Sequence, residues 1–217
     1  MKGVLQSIGA GALALVLVLS TSASAQVGKG LVDFNSAPEQ QLSGLPHMTP
    51  AIAKAIVAAR PFNSIVQANA LLTKQGLTDT QRTELYRRAF VHINLNTGTE
   101  EEFLLIPNAG KRMAHEFEEY RPWRNWAHFD KEIGKYIPTD KEQELDRFRS
   151  YLFIPMNLNT ATDDMFLTIP GVGPKMVHEF NEYRPWKSKA HFDKEIGKYI
   201  NNNQKELDRM FRYLVIQ

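Results

Sequence analysis

The sequence predicts an all-α protein made of three tandem copies of one unit, each of about two helical hairpins. Three observations carry this: landmarks that return at near-constant spacing, capped apolar segments with helical periodicity, and no strand-like alternation. Asn35-Ser36, Asn96-Thr97 and Asn159-Thr160 occupy equivalent places, as do Leu45-Pro46, Ile106-Pro107 and Ile169-Pro170. So do Arg60-Pro61-Phe62, Arg121-Pro122-Trp123 and Arg184-Pro185-Trp186, each set offset by 61 and then by 63 residues. Ala127 to Ile137 and Ala190 to Ile200 are identical. The expected boundaries are residues 26–90, 91–153 and 154–217. No Pro/Gly/Ser linker separates the copies, so direct packing is expected.

Residues 1–25 read as a secretory signal peptide. Met1 and Lys2 give a positive start, an apolar run ends at Leu19, and Ala23-Ser24-Ala25 makes an A-x-A cleavage site before Gln26. The apolar centre is shorter than the ~20 residues a membrane span needs. A periplasmic or secreted protein is therefore expected, with no membrane span in the mature chain; an uncleaved anchor is the other reading.

Within each copy, Ser36-x-x-Glu39, Thr99-x-x-Glu102 and Thr160-x-x-Asp163 are expected to cap a first helix. A tight turn follows: Pro46-His47-Met48-Thr49, Pro107-Asn108-Ala109-Gly110 or Pro170-Gly171-Val172-Gly173. A second helix carries Met176, Val177 and Phe180 in copy three and ends at the Arg-Pro pair, because a residue before proline is pushed out of helical geometry. A third holds Phe192, Ile196 and Tyr199. A fourth is expected to begin at Thr78-x-x-Gln81, Thr139-x-x-Glu142 or Asn203-x-x-Glu206, and in copy three carries Leu207, Met210, Phe211 and Leu214.

The 217 residues include no cysteine, which excludes disulfides, thiolate metal sites and cysteine nucleophiles. Lys and Arg number 26 and Asp and Glu 24, so no whole-molecule field gathers a polyanion and any anion site must be local. The copies carry net +3, −3 and +1 in order. Lys187, Lys189, Lys194 and Lys198 form a basic cluster in copy three, interleaved by Asp193 and Glu195.

The run from Met156-Asn157-Leu158-Asn159-Thr160-Ala161 through Leu167, Ile169 and Pro170-Gly171-Val172-Gly173-Pro174-Lys175 to Arg184-Pro185-Trp186 resembles the helix-hairpin-helix domain of ComEA-type competence proteins. The resemblance extends over residues 31 to 217, declining from copy three to copy one. It implies an exported, non-enzymatic protein that binds DNA during uptake.

The turn also argues from its own chemistry. A glycine-flanked turn entering a helix presents unpaired amides and the positive end of the dipole. Gly171 and Gly173 let a phosphate approach the backbone, with Val172 between them; Pro174 suits the first helical turn, and Lys175 adds a full charge. Such a site is blind to base sequence. Copy two keeps Gly110, has Asn108 in place of the first glycine and offers Lys111 and Arg112. Copy one has His47 and Thr49 at the glycine positions and Ala51 at the lysine position, and is not expected to bind phosphate.

Each signal has a plainer counterpart. A Pro-Gly-x-Gly turn also serves simply to close a hairpin. Trp123 and Trp186 read as core plugs, since Phe62 fills the same slot, whereas Trp126 reads as the surface aromatic. His115, His178, His128 and His191, each with nearby carboxylates, fall short of the three or four convergent ligands of a zinc site, so neither metal nor cofactor is expected. The alternative function is an assembly module without DNA binding; copy one resembles that use of the fold in the extrinsic subunit U of photosystem II. No Ser-His-Asp set, Walker loop or H-E-x-x-H occurs, and no catalytic residue is expected.

Overall fold

The computed structural model describes residues 27–217; the expected signal peptide lies outside the described residues. The chain is mostly helical, and one order of elements recurs three times. It runs first through β1 (Val32–Asp33), α1 (Glu39–Ser43), α2 (Pro50–Ala59), α3 (Ile65–Lys74), α4 (Asp79–Tyr86) and β2 (Ala89–Phe90). Next come β3 (Ile93–Asn94), α5 (Glu100–Leu104), α6 (Gly110–Glu119), α7 (Trp126–Ile133), α8 (Lys141–Arg149) and β4 (Leu152–Phe153). Last come β5 (Met156–Asn157), α9 (Asp163–Phe166), α10 (Pro174–Glu182), α11 (Lys189–Gly197), α12 (Gln204–Phe211) and β6 (Leu214–Val215).

The strands correct the all-α expectation. β1 pairs with β2, β3 with β4 and β5 with β6, each in parallel, so the two ends of every segment meet. Two residues are too few for alternation to register in sequence.

Some helix starts also differ. Thr99 with Glu102 and Thr78 with Gln81 form complete capping boxes, and Asn203 accepts from the Glu206 amide. Pro38 rather than Ser36 precedes α1, and Thr162 rather than Thr160 caps α9. Both displaced residues belong to turns after a strand, where the Ser36 amide bonds Asp33 O and the Thr160 amide bonds Asn157 O. Thr139 is no cap either; Asp140 precedes α8 in left-handed geometry with no side-chain bond.

The repeated landmarks are structural clamps. The Asn35 side chain donates to Phe62 O at 3.0 Å and accepts from Phe62 N at 2.7 Å, as one peptide pairs with another. Asn96 does the same with Trp123, and Asn159 with Trp186. The arginine before each proline reaches back to the same turn: Arg184 donates to Leu158 O at 2.9 Å and Ala161 O at 2.6 Å. Arg60 and Arg121 make the equivalent pairs of bonds.

Phe62, Trp123 and Trp186 are buried as core plugs, and each Trp ring N–H is spent on a backbone carbonyl, Phe117 O or Phe180 O, at 2.7 Å. Trp126, expected on the surface, is buried at 4% exposure against Phe129, in a wall shared with Val27, Gly28 and Lys29. One continuous core spans Phe34 to Ile154; a second spans Phe153 to Leu214 and takes in Val27. Among the described residues no helix is long and apolar enough to cross a membrane.

Candidate nucleic-acid interface

All three helix-joining turns open in the same way. The first turn residue is left-handed in each: His47 at φ 61°, Asn108 at 64° and Gly171 at 78°. The next residue, Met48, Ala109 or Val172, is buried and donates its amide to the carbonyl three residues back, at 3.2, 3.0 and 3.0 Å. Val172 thus anchors its turn in the core, and glycine is not required for the shape.

The turns differ in what they expose. Before α2, Thr49 accepts from the Ile52 amide at 3.2 Å, so a side chain covers the donor an anion would use. His47 is also engaged, 2.5 Å from Glu84 on α4. Before α10, Gly173 is extended at φ −113°, has no side chain to cap with, and leaves open space where a Cβ would stand. Pro174 opens the helix. Among the described residues nothing accepts from the amides of Lys175 and Met176; the next, Val177, bonds Gly173 O at 3.1 Å. Lys175 is exposed and has no ion-pair partner among the described residues. Ala109 likewise gives α6 no side-chain cap, and Gly110, the first residue of that helix, stands at φ 65°. Lys111 is exposed there, and the Arg112 guanidinium lies 5.1 Å over the Tyr136 ring.

The structure therefore brings Gly171, Gly173, Pro174 and Lys175 to one exposed edge, and Asn108, Gly110, Lys111 and Arg112 to another. The two turns are braced by residues that sequence reasoning passed over. Arg209 on α12 donates to Pro170 O at 2.6 Å while its fork grips Glu206. Arg147 on α8 does the same for Pro107 O with Glu144. The spacing Glu-x-x-Arg was the available signal; copy one carries it too, as Glu84-x-x-Arg87, but there Glu84 bonds His47. A Cβ on Gly171 would stand 3.1 Å from Arg209 Nη2 and 3.5 Å from Ser36 Cβ, so this turn packs beside the first segment.

The basic cluster is largely neutralised. Lys189 sits 2.7 Å from both Asp193 and Asp208, which hold its ammonium above the ordinary lysine range although burial acts to lower it. Lys194 and Lys198 pair with Glu195. Lys187 is exposed and has no such partner among the described residues.

The histidines do not converge. His128 and His191 pack against the Trp123 and Trp186 rings at 5.0 and 4.9 Å. His115 pairs with Glu119 at 2.8 Å and His178 with Glu182 at 3.1 Å, one helical turn on. Donor atoms of His178, Glu179 and Glu182 lie within 4.8 Å of one another, which is three ligands at an exposed helix face.

Residues 27–85 match the helix-hairpin-helix motif family. That motif is a general nucleic-acid-binding or interaction module. The matched stretch runs from before β1 into α4 and contains the turn closed by Thr49. No curated protein matches the chain. No solved structure matches it.

Proposed function

We propose that this chain is an exported, non-enzymatic DNA-binding protein of ComEA type, built from three tandem helix-hairpin-helix units over residues 26–90, 91–153 and 154–217 and working in the periplasm during DNA uptake. It grips the phosphate backbone without regard to sequence. The turn before α10 is the principal contact, the turn before α6 an auxiliary one, and the turn before α2 a structural element. The carrying observation is the contrast at the helix starts: uncovered amides beside an unpaired Lys175 at α10, against a threonine cap at α2. Residues 1–25 act as a cleaved export signal.

The test is a fluorescence titration of the protein without residues 1–25 against duplex DNA. Binding should weaken with salt through counterion release, with Kd on the order of 10⁻⁴–10⁻⁶ M at physiological salt. Absence of binding at low salt refutes the proposal. A second reading, an assembly module, is favoured by the family match falling on the closed turn and by the net negative middle segment. A stable protein partner that survives nuclease treatment would support it.

A further inference from the structure

Next to the α10 turn lies a cleft of about 430 Å³ lined by Gly173, Pro174, Lys175, Met176, Glu179 and Tyr199. Tyr199, two residues beyond the end of α11, is 49% exposed. Its hydroxyl meets that of Tyr183 at 3.0 Å, which fixes the ring at the cleft wall. The same tyrosine pair recurs at α6, where Tyr120 and Tyr136 meet at 2.8 Å, but there Arg112 covers the Tyr136 ring. Among the described residues no cation lies over the ring of Tyr199. Only the third segment therefore joins a bare aromatic face to uncovered amides and a free lysine. Glu179, also in the lining, is engaged by the Tyr199 hydroxyl, which helps to hold the ring in place.

We infer that this cleft takes an unpaired nucleobase of single-stranded DNA, stacked on Tyr199, while the adjoining phosphate rests at the Lys175 and Met176 amides. The inference rests on the phosphate reading above and deepens it by naming the strandedness of the substrate. Every base has a π face, so stacking tolerates any sequence, but in a duplex those faces are already occupied. Charge complementarity selects the occupant: an apolar ligand would leave Lys175 unused, and an anion alone would leave Tyr199 bare.

The experiment titrates the protein lacking residues 1–25 with an oligodeoxycytidylate of about 16 nucleotides and with a duplex of similar length. Tyr199→Ala should weaken single-strand binding about tenfold and leave duplex binding within about twofold. Tyr199→Phe, which keeps the ring and loses only the hydroxyl contact, should retain single-strand binding. Tyr136→Ala should change neither. Thermal unfolding of each variant separates loss of binding from loss of fold. Unchanged single-strand affinity in Tyr199→Ala, where the unsubstituted protein binds both probes, overturns the stacking site alone. Equal losses in the Phe and Ala variants also overturn it, by making Tyr199 a structural residue. Failure of the unsubstituted protein to bind either probe overturns the phosphate reading, and the stacking site with it.

Discussion

The Thr49 hydroxyl oxygen accepts from the Ile52 amide at 3.2 Å, and that one bond separates a closed helix start from the open one at Gly173. Gly173→Thr should transplant the closure. The extended backbone at Gly173 and the empty space around it admit a side chain without strain. A threonine cap there adds a few tenths of a kcal/mol to stability and covers the amide a phosphate would use. Urea unfolding should show unchanged or slightly raised stability, while DNA titration shows several-fold weaker binding. Joint loss of both would mean that the turn was merely disrupted.

Asn35 pairs both polar groups of its amide with the backbone of Phe62. Both residues are buried, so Asn35→Ala leaves an N–H and a carbonyl without partners. The expected cost is about 1–3 kcal/mol, read as a lowered urea midpoint. Asn159→Ala should cost less, because Asn159 is only partly buried and water can replace it.

Arg209 is 2% exposed and joins α12 to the turn before α10. Arg209→Lys keeps the charge and loses the fork, so it cannot hold Pro170 O and both Glu206 oxygens together. A loss of about 2 kcal/mol is expected in chemical denaturation. Breaking a fully buried pair costs about 3–5 kcal/mol, but water reaches Glu206. Stability equal to the unsubstituted protein would show that the brace is dispensable.

The Asp33 carboxyl is held below the ordinary aspartate value. Burial alone would raise it; His92, 3.5 Å away, and the charge of Arg209 outweigh that. A depressed value in the folded protein gives stability that is present above the unfolded value, about 4, and is lost as pH falls through the folded one. Asn94 and Asn157 fill the corresponding places and accept the same turn bond, so Asp33→Asn removes charge while keeping the turn. Its unfolding midpoint should fall at neutral pH and vary less below about pH 4. An acid limb identical to that of the unsubstituted protein would exclude Asp33 as its source.

The helical character and the three turns were legible because capping residues, helical periodicity and proline act over a few neighbours. The strand pairs were not, since each joins residues some sixty positions apart and only two long. Trp126 shows a further limit. Its counterpart Lys189 is only half-buried, and the difference comes from Val27, Gly28 and Lys29, which stand beside Trp126 and have no equivalent beside Lys189. Comparison between repeats cannot reveal a neighbour that only one of them has. The lysines of the third segment teach the same lesson for charge, because composition counts Lys189, Lys194 and Lys198 as free cations and the fold ties each to a carboxylate. At the candidate site, glycine marked openness rather than shape, since His47 and Asn108 take the left-handed conformation as Gly171 does.

The parallel pairs β1–β2, β3–β4 and β5–β6 set the entrance and exit of each segment side by side. A gene copying error that duplicates or deletes one whole segment therefore leaves the flanking chain where it already was, with no rerouting. Array length becomes a quantity that evolution or an engineer can alter in whole steps, and each added step brings one more turn whose cap can be set open or shut by a single codon.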